Sequence, residues 1–259
     1  MKTTTGTEIT ESVLDPGCPW KLPRLKWGFP PYPYKKTPDE WRTLLTRAEQ
    51  GEAEAECTVA AMYEDGCKTR AGRVLVRRSA RKALEWYRRS AAHGDTSAQT
   101  NLGVILSSAK ANKEDRREAL MWLRKAARAG VASAIINAAI MHREDGDLRR
   151  AVSSFRKATA LGDDSARIQL GIHYYWGRGI RANHSMAVRL IRRATLGKDL
   201  SEADRDDAFF YLGIAYLEGN GVRASLQMAA KLFHRANIDN DHPAARRLLN
   251  RIAKRSTKA

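Results

Sequence analysis

The side chains that most often carry chemistry are few and scattered in this sequence. None of the histidines forms the i, i+4 pair of a zinc-binding helix; they are His93, His142, His173, His184, His234 and His242. The cysteines contain no Cys-x-x-Cys spacing. Because catalytic and metal sites need such groups close together, we predict no catalytic residue, no metal site and no cofactor.

Two short motifs imitate functional sites. The Gly-Arg-Gly run at 177–179 resembles part of a phosphate-binding loop, but it lies between two predicted helices and lacks the following Gly-Lys-Ser. We interpret it as a turn. The acidic pairs Asp163-Asp164 and Asp206-Asp207 stand where we predict helix starts. Negative charge is favourable there, so we interpret both pairs as helix caps rather than as general acids or bases.

Composition narrows the class of partner. Among 259 residues, 46 are Lys or Arg and 29 are Asp or Glu, which gives a net charge of +17 and favours an acidic partner. No run reaches the ~18 apolar residues of a membrane-spanning helix. The first 15 residues lack the apolar stretch of a secretion signal. Three cysteines, Cys18, Cys57 and Cys67, do not suit a disulfide scaffold, so we predict a cytoplasmic protein with Cys57 as a core residue.

A repeat organises the chain beyond Pro38. Four glycines are each followed four residues later by a marker alanine, in the pairs Gly51–Ala55, Gly94–Ala98, Gly130–Ala134 and Gly162–Ala166, and Ala208 marks a fifth copy. Counted from the marker alanine, an apolar residue stands four positions later and a small residue five positions later. In three copies a tyrosine stands eight positions later, namely Tyr63, Tyr174 and Tyr216. This spacing predicts one apolar stripe on a first helix that another helix approaches closely.

Each copy continues with a second helix. Its marker alanines are Ala83, Ala119, Ala151, Ala187 and Ala229. Four residues earlier stand good N-cap residues: Ser79, Asp115, Asp147, Asn183 and Ser225. The glycines of the register then end the second helices, where a left-handed backbone is needed.

This pattern resembles the Sel-one-like repeat (SLR), a relative of the tetratricopeptide repeat. The best matches are Leu170-Gly171, Tyr174, Gly177, Gly179 and Ile180, then Leu212-Gly213, Tyr216, Gly219, Gly221 and Val222, and Ala83, Trp86, Tyr87, Ala91 and Gly94. The first copy has a longer basic connection from Gly66 to Ser79. The second and third copies lack the Gly-x-Gly turn, and the last copy lacks its closing glycine.

The predicted fold is all-α, a right-handed α-solenoid of about five stacked antiparallel helix pairs. We expect three segments: an extended Pro- and aromatic-rich arm at residues 1–37, the repeats at 38–254 and a basic tail at 255–259. The arm either packs on the repeats or binds a partner as a proline-rich ligand. A half-copy, Thr37 to Gln50, begins the repeats and a capping helix, His242 to Lys254, ends them.

Two surfaces are candidate binding sites. The first is a row on the predicted concave wall of first helices, called here the first-helix row, which consists of Thr58, Asn101, Asn137, Gln169, His173, Trp176 and Tyr211. Hydrogen-bonding groups and aromatic rings in such a row suit recognition of a protein or peptide. The alternative is a solvated wall without a partner.

The second surface is a ladder of cations at the fifth and sixth positions after the second-helix alanines. This basic ladder consists of Arg88, Arg89, Arg124, Lys125, Arg156, Lys157, Arg192 and Arg193, followed by His234 and Arg235. A basic sixth position is usual in the family that the sequence resembles. Such a surface is a solvated face, docks an acidic protein or, as a further alternative, binds nucleic acid.

The resemblance implies a non-catalytic protein-interaction scaffold or adaptor. The alternatives are a cytosolic immunity protein that neutralises an acidic bacterial toxin, and a nucleic-acid-binding protein that uses the basic ladder.

Overall fold

The computed structural model describes residues 36–107, 112–198, 200–238 and 242–256. The predicted arm therefore lies outside the described residues apart from Lys36 and Thr37. The predicted tail does so apart from the helical backbone of residues 255 and 256.

Within the described residues the chain is almost entirely helical. The helices are α1 (Pro38–Glu49), α2 (Ala53–Asp65), α3 (Ala80–Ala92), α4 (Thr96–Leu106), α5 (Lys113–Arg128), α6 (Ala132–Glu144), α7 (Leu148–Ala160), α8 (Asp164–Trp176), α9 (His184–Ala194), α10 (Glu202–Glu218), α11 (Leu226–Arg235) and α12 (Pro243–Ser256). The even-numbered helices α2 to α10 are the first helices of the five predicted copies, and the odd-numbered helices α3 to α11 are the second helices. The predicted all-α repeat architecture is confirmed.

The helices form two compact units that divide between Asp145 and Gly146. In the unit of residues 25–145, each helix from α1 to α6 packs mainly on its neighbours in sequence. The same holds from α7 to α12 in the unit that begins at Gly146. Nearest-neighbour packing of this kind is how a helical repeat buries stripes that a single helix pair leaves open.

The repeat register explains the cores of both units. All ten marker alanines are buried. The glycine beside the apolar position of a first helix allows the close approach of a second helix: a Cβ on Gly103 would lie 2.5 Å from Cγ of Leu123, and one on Gly213 would lie 2.6 Å from Cε1 of Phe233. Each large apolar side chain buried in this way contributes roughly 1.5–3 kcal/mol.

Most of the predicted helix boundaries are confirmed. Ser79, Asp147, Asn183 and Ser225 cap their helices by accepting a backbone N–H. The prediction for Asp115 is wrong, because α5 starts earlier and Asn112 is its cap, with Oδ1 2.8 Å from the Asp115 nitrogen.

The two ends of the repeat region also match the prediction. Leu44 and Ala48 of α1 are buried. In α12, Leu248 and Ile252 are buried, whereas the cations Arg246, Arg247, Arg251 and Lys254 are exposed.

The long basic connection of the first copy forms a short antiparallel ribbon that the sequence pattern did not predict. Its strands are β1 (Cys67–Lys68) and β2 (Val74–Val76), joined by a turn in which Gly72 has a φ of 81°. Cys67 and Val76 bury their side chains in a cluster with Leu44. The β-branched valines fit a strand, and this burial fixes the ribbon on the first helix pair.

Candidate functional site

The cations of the basic ladder are exposed on each second helix. Arg124, Lys125, Arg156 and Lys157 are exposed on α5 and α7, and so are the paired cations of α3, α9 and α11. The marker alanines bury the opposite face of each second helix, so the cations must point outward. Several of them also stand in the last helical turn, where a cation interacts favourably with the helix dipole.

Three of the fifth-position arginines, Arg88, Arg156 and Arg192, have structural partners. Arg156 Nη2 donates to the Tyr174 hydroxyl at 3.3 Å, and Arg192 Nη2 donates to Tyr216 at 3.1 Å. Each of these bonds ties a second helix to the following first helix through the tyrosine at position eight. The sequence showed these tyrosines as repeat markers, but it gave no signal for their arginine partners.

In the unit of residues 25–145 the equivalent arginine binds an acid. Arg88 makes a bidentate pair with Glu118 of α5, with nitrogen–oxygen distances of 3.0 and 2.9 Å. These hydrogen bonds lower the pKa of the Glu118 carboxyl and raise the pKa of Arg88. Arg88 therefore contributes to packing between α3 and α5 as well as to surface charge.

The cations at the sixth position fall into two groups: some contact an acid or an aromatic ring closely, and others have no acidic partner among the described residues. Arg89 Nε lies 3.0 Å from the fully buried Glu56, and its guanidinium stacks 4.2 Å from the ring centroid of Trp86. Arg235 stacks on Phe209 in the same manner. By contrast, Lys157 and Arg193 have no acidic partner among the described residues, and neither does Lys125, which lies 5.3 Å from the Trp122 ring.

The first-helix row is not the open wall that the sequence pattern predicted. Five of its seven side chains are buried: Asn101, Asn137, Gln169, His173 and Tyr211. Asn137 is 0% exposed and Gln169 is 3% exposed, and both have interaction partners. The period of a helix tells which residues share a face, but it does not tell whether that face is covered. Contact between this row and a partner protein stays a prediction.

The two remaining residues of the row are half-buried. Thr58 donates its hydroxyl hydrogen to the Glu54 carbonyl at 2.9 Å, as helical threonines commonly do. Trp176 packs edge-on against Tyr175, with ring centroids 5.1 Å apart. Both contacts account for these residues structurally.

Buried cysteine and tyrosine side chains have structural surroundings in the described part of the chain. Burial raises the pKa of the Cys57 thiol, so this cysteine is a neutral core residue, as predicted. Burial likewise raises the pKa of Tyr87, whose hydroxyl donates to Glu64 at 2.8 Å. Within the described ranges, no three His, Cys, Asp or Glu side chains are grouped closely enough to hold a metal ion.

The two motifs that imitate functional sites have structural roles. Gly177 ends α8 in the left-handed conformation, with its N–H bonded to the His173 carbonyl, so the Gly-Arg-Gly run is a turn as predicted. Asp163 caps α8 as predicted. The prediction for Asp206-Asp207 is wrong, because α10 begins at Glu202 with Ser201 as its cap, and the pair lies inside the helix. The start of a helix depends on its first capping residue, and Ser201 precedes the acidic pair.

None of the helices in the described part combines the length and apolar character that a membrane crossing requires.

Tandem helix pairs with buried first helices and exposed, cationic second helices define a helical-repeat protein. The family model of the Sel1 repeat matches residues 59–95, 96–131, 164–199 and 207–241, more than half of the chain. The chain therefore belongs to the Sel1 repeat family, whose repeats generally serve as protein-interaction scaffolds. The predicted SLR resemblance is confirmed. The third predicted copy, which contains α6 and α7, lies between the matched segments.

Solved structures share the repeat fold. The chain is 26% identical to the protective antigen c5321 of uropathogenic Escherichia coli, an SLR protein, with a TM-score of 0.70 over 85% of this chain. It spans only 45% of that antigen. A Sel1 repeat protein from Oxalobacter formigenes is 22% identical, with a TM-score of 0.65 over 80% of this chain and 81% of that protein. These likenesses confirm the predicted solenoid class of fold.

Immunity protein Pa5087 from Pseudomonas aeruginosa is 15% identical, with a TM-score of 0.44 over 91% of this chain and 83% of that protein. A likeness of this degree does not transfer a function, so the immunity role stays a prediction. No curated protein is similar enough to this chain to count as a relative.

Proposed function

We propose that this chain is a non-catalytic scaffold that binds an acidic surface of another protein through its basic ladder. The observation that carries the proposal is the pair of free sixth-position cations in the unit that begins at Gly146: Lys157 and Arg193 are exposed and have no acidic partner among the described residues. Unpaired surface cations in a recurring register attract a complementary anionic surface and orient it.

The environment of the ladder favours a protein over nucleic acid. Single-stranded nucleic acid binds best where aromatic rings are open for base stacking. The tryptophans beside the ladder, Trp86 and Trp122, are half-buried and are covered by Arg89 and Lys125. Carboxylates of a protein need no such rings, because lysine and arginine bind them directly.

The experiment is affinity capture followed by mass spectrometry, in which one double variant is compared with the wild type. Lys157→Glu with Arg193→Glu reverses two free ladder charges on α7 and α9. The matched control, Lys68→Glu with Arg70→Glu, makes the same charge change at exposed residues on and beside the ribbon.

We expect a captured acidic protein to be lost from the ladder variant and kept by the ribbon control. Equal retention by both variants would overturn the proposal. If the captured protein is a bacterial toxin, the function is the immunity role. Salt-sensitive capture of DNA or RNA in place of protein would support the nucleic-acid alternative and overturn the proposal of a protein partner.

A further inference from the structure

Helix α5 has an exposed face that extends beyond the two ladder positions Arg124 and Lys125. Its residues stand at helical spacing and together line an open surface cavity of about 470 Å³; they are Arg117, Leu120, Met121, Arg124, Lys125 and Arg128. We call this the α5 face. From its first residue to its last it extends for about 17 Å along the helix, at ~1.5 Å per residue.

The α5 face carries four uncompensated positive charges. Arg117, Arg124, Lys125 and Arg128 are exposed, and none pairs with an acid among the described residues. The acid in the middle of the helix, Glu118, is held by Arg88. The neighbouring Arg116 does have acidic partners, since it pairs with Asp145 at 2.6 Å. The free cations therefore belong to one side of α5.

The centre of the α5 face is apolar. Met121 is 52% exposed, although the other apolar side chains of α5 turn toward the core. Leu120 beside it is half-buried and packs on that core. A methionine is flexible and polarisable, so it adapts to an apolar side chain placed against it.

We propose that the α5 face docks an acidic amphipathic helix of a partner protein. Its apolar side chains would pack on Leu120 and Met121, and its carboxylates would bind Arg117, Arg124 and Arg128. The charge pattern selects this occupant, because cations at both ends surround an apolar centre, and an amphipathic helix presents groups with the same spacing. The inference rests on the proposed function, and it specifies an acidic amphipathic helix as the part of the partner that binds α5.

The probe is a short fluorescein-labelled helical peptide with leucines flanked by glutamates on one face. Two matched peptides replace either the leucines by serine or the glutamates by glutamine. Fluorescence anisotropy with the full-length protein should show binding of the first peptide, and affinities at least about tenfold lower for the other two, the usual size of a lost anchor contact.

Protein variants locate the site. Arg124→Gln with Arg128→Gln should weaken binding about tenfold, and Met121→Ser should remove the preference for leucine over serine. The matched control Lys68→Gln with Arg70→Gln removes the same charge from exposed residues on and beside the ribbon and should bind the peptide like the wild type.

Equal loss in the α5 variant and the control would overturn the inference, because net charge alone would then explain binding. So would unchanged binding in both α5 variants, or tighter binding of a single-stranded oligonucleotide that is insensitive to Met121→Ser. The affinity-capture experiment measures the role of Lys157 and Arg193 separately. The inference about α5 can therefore fail while the proposed function holds, and the proposed function can fail while the α5 face still binds the peptide.

Discussion

The two units build the same helix pairs with different connections. In the unit that begins at Gly146, the turn after α8 and the turn after α10 are both Gly-x-Gly, and the second glycine contacts the start of the preceding second helix. In the unit of residues 25–145, the ribbon of β1 and β2 replaces the first such turn. The comparison shows that helix packing defines the repeat, whereas its connections differ in how tightly they bind neighbouring copies.

Two glycines make this difference measurable. Gly221 has a φ of 76°, and a Cβ there would lie 2.5 Å from the backbone of His184. Gly72 in the ribbon turn has a similar φ of 81°, but nothing lies within 4 Å of its Cβ position. An alanine at position 221 would therefore combine backbone strain with a close contact, whereas an alanine at position 72 would introduce strain alone.

The largest expected effect is that of Gly221→Ala. We expect a loss on the order of 3 kcal/mol in the free energy of unfolding, from overpacking against His184 added to left-handed strain. Gly72→Ala should cost only about 1 kcal/mol. Urea denaturation of both variants measures the difference, and equal losses would show that contact between turn and helix adds nothing.

The buried first-helix row gives the next largest effect. Asn137→Ala in one unit and Gln169→Ala in the other should each cost about 1–3 kcal/mol, because each removes the interactions of a buried polar side chain. The exposed Asn250→Ala is the control and should be nearly neutral. If both core variants were as stable as the wild type while a partner was lost, the row would be a binding surface, as the sequence pattern predicts.

The helix caps provide a smaller effect. Asn112→Ala in the unit of residues 25–145 and Asn183→Ala in the other unit should each cost about 1 kcal/mol, because both side chains cap a second helix. Asp115→Ala should cost less, since Asp115 is inside α5. A larger loss for Asp115 than for Asn112 in thermal unfolding would restore the sequence-based prediction.

The smallest effect is a pH dependence within one unit. Burial raises the pKa of Glu64, so its folded-state pKa exceeds the unfolded value of about 4.3. The folded state then binds the proton more tightly, and the stability that Glu64 contributes is lost as pH rises through its folded pKa. Relative to Glu64→Gln, the wild type should lose stability as pH rises above about 4.

Glu118 gives the opposite sign in the same experiment. Hydrogen bonds from Arg88 lower its pKa, so its contribution is present above the unfolded pKa and is lost as pH falls. The wild type should therefore gain stability relative to Glu118→Gln as pH rises. Urea denaturation from pH 3 to pH 7 checks both signs, and parallel curves for the two variants would contradict the assignment.

The sequence predicted most of the helix organisation because alanine, glycine and cap residues recur at fixed spacing. It placed a helix pair at α6 and α7, where the family model does not match. It misplaced the start of α5, because Asn112 and Asp115 are both good caps and only the path of the chain decides between them. The ribbon was missed because its strands are too short to show alternation.

The candidate sites were harder to predict because exposure depends on tertiary contacts. Asn137 and Gln169 form a polar row in sequence, yet both are buried. The basic ladder included only Arg124 and Lys125 of the α5 face, because the repeat register considers only marker positions. Arg117, Met121 and Arg128 share the helical spacing of Arg124, and a search for exposed faces would have found them.

Site-specific photo-cross-linking tests most directly whether partners bind to the second helices. A benzophenone side chain at Ser153, one turn from Lys157 on the exposed side of α7, is compared with one at the half-buried Thr58 of the first-helix row. We predict a covalent adduct with an acidic protein from position 153 and none from position 58. An adduct from position 58 alone would contradict the proposal and return the binding site to the first helices.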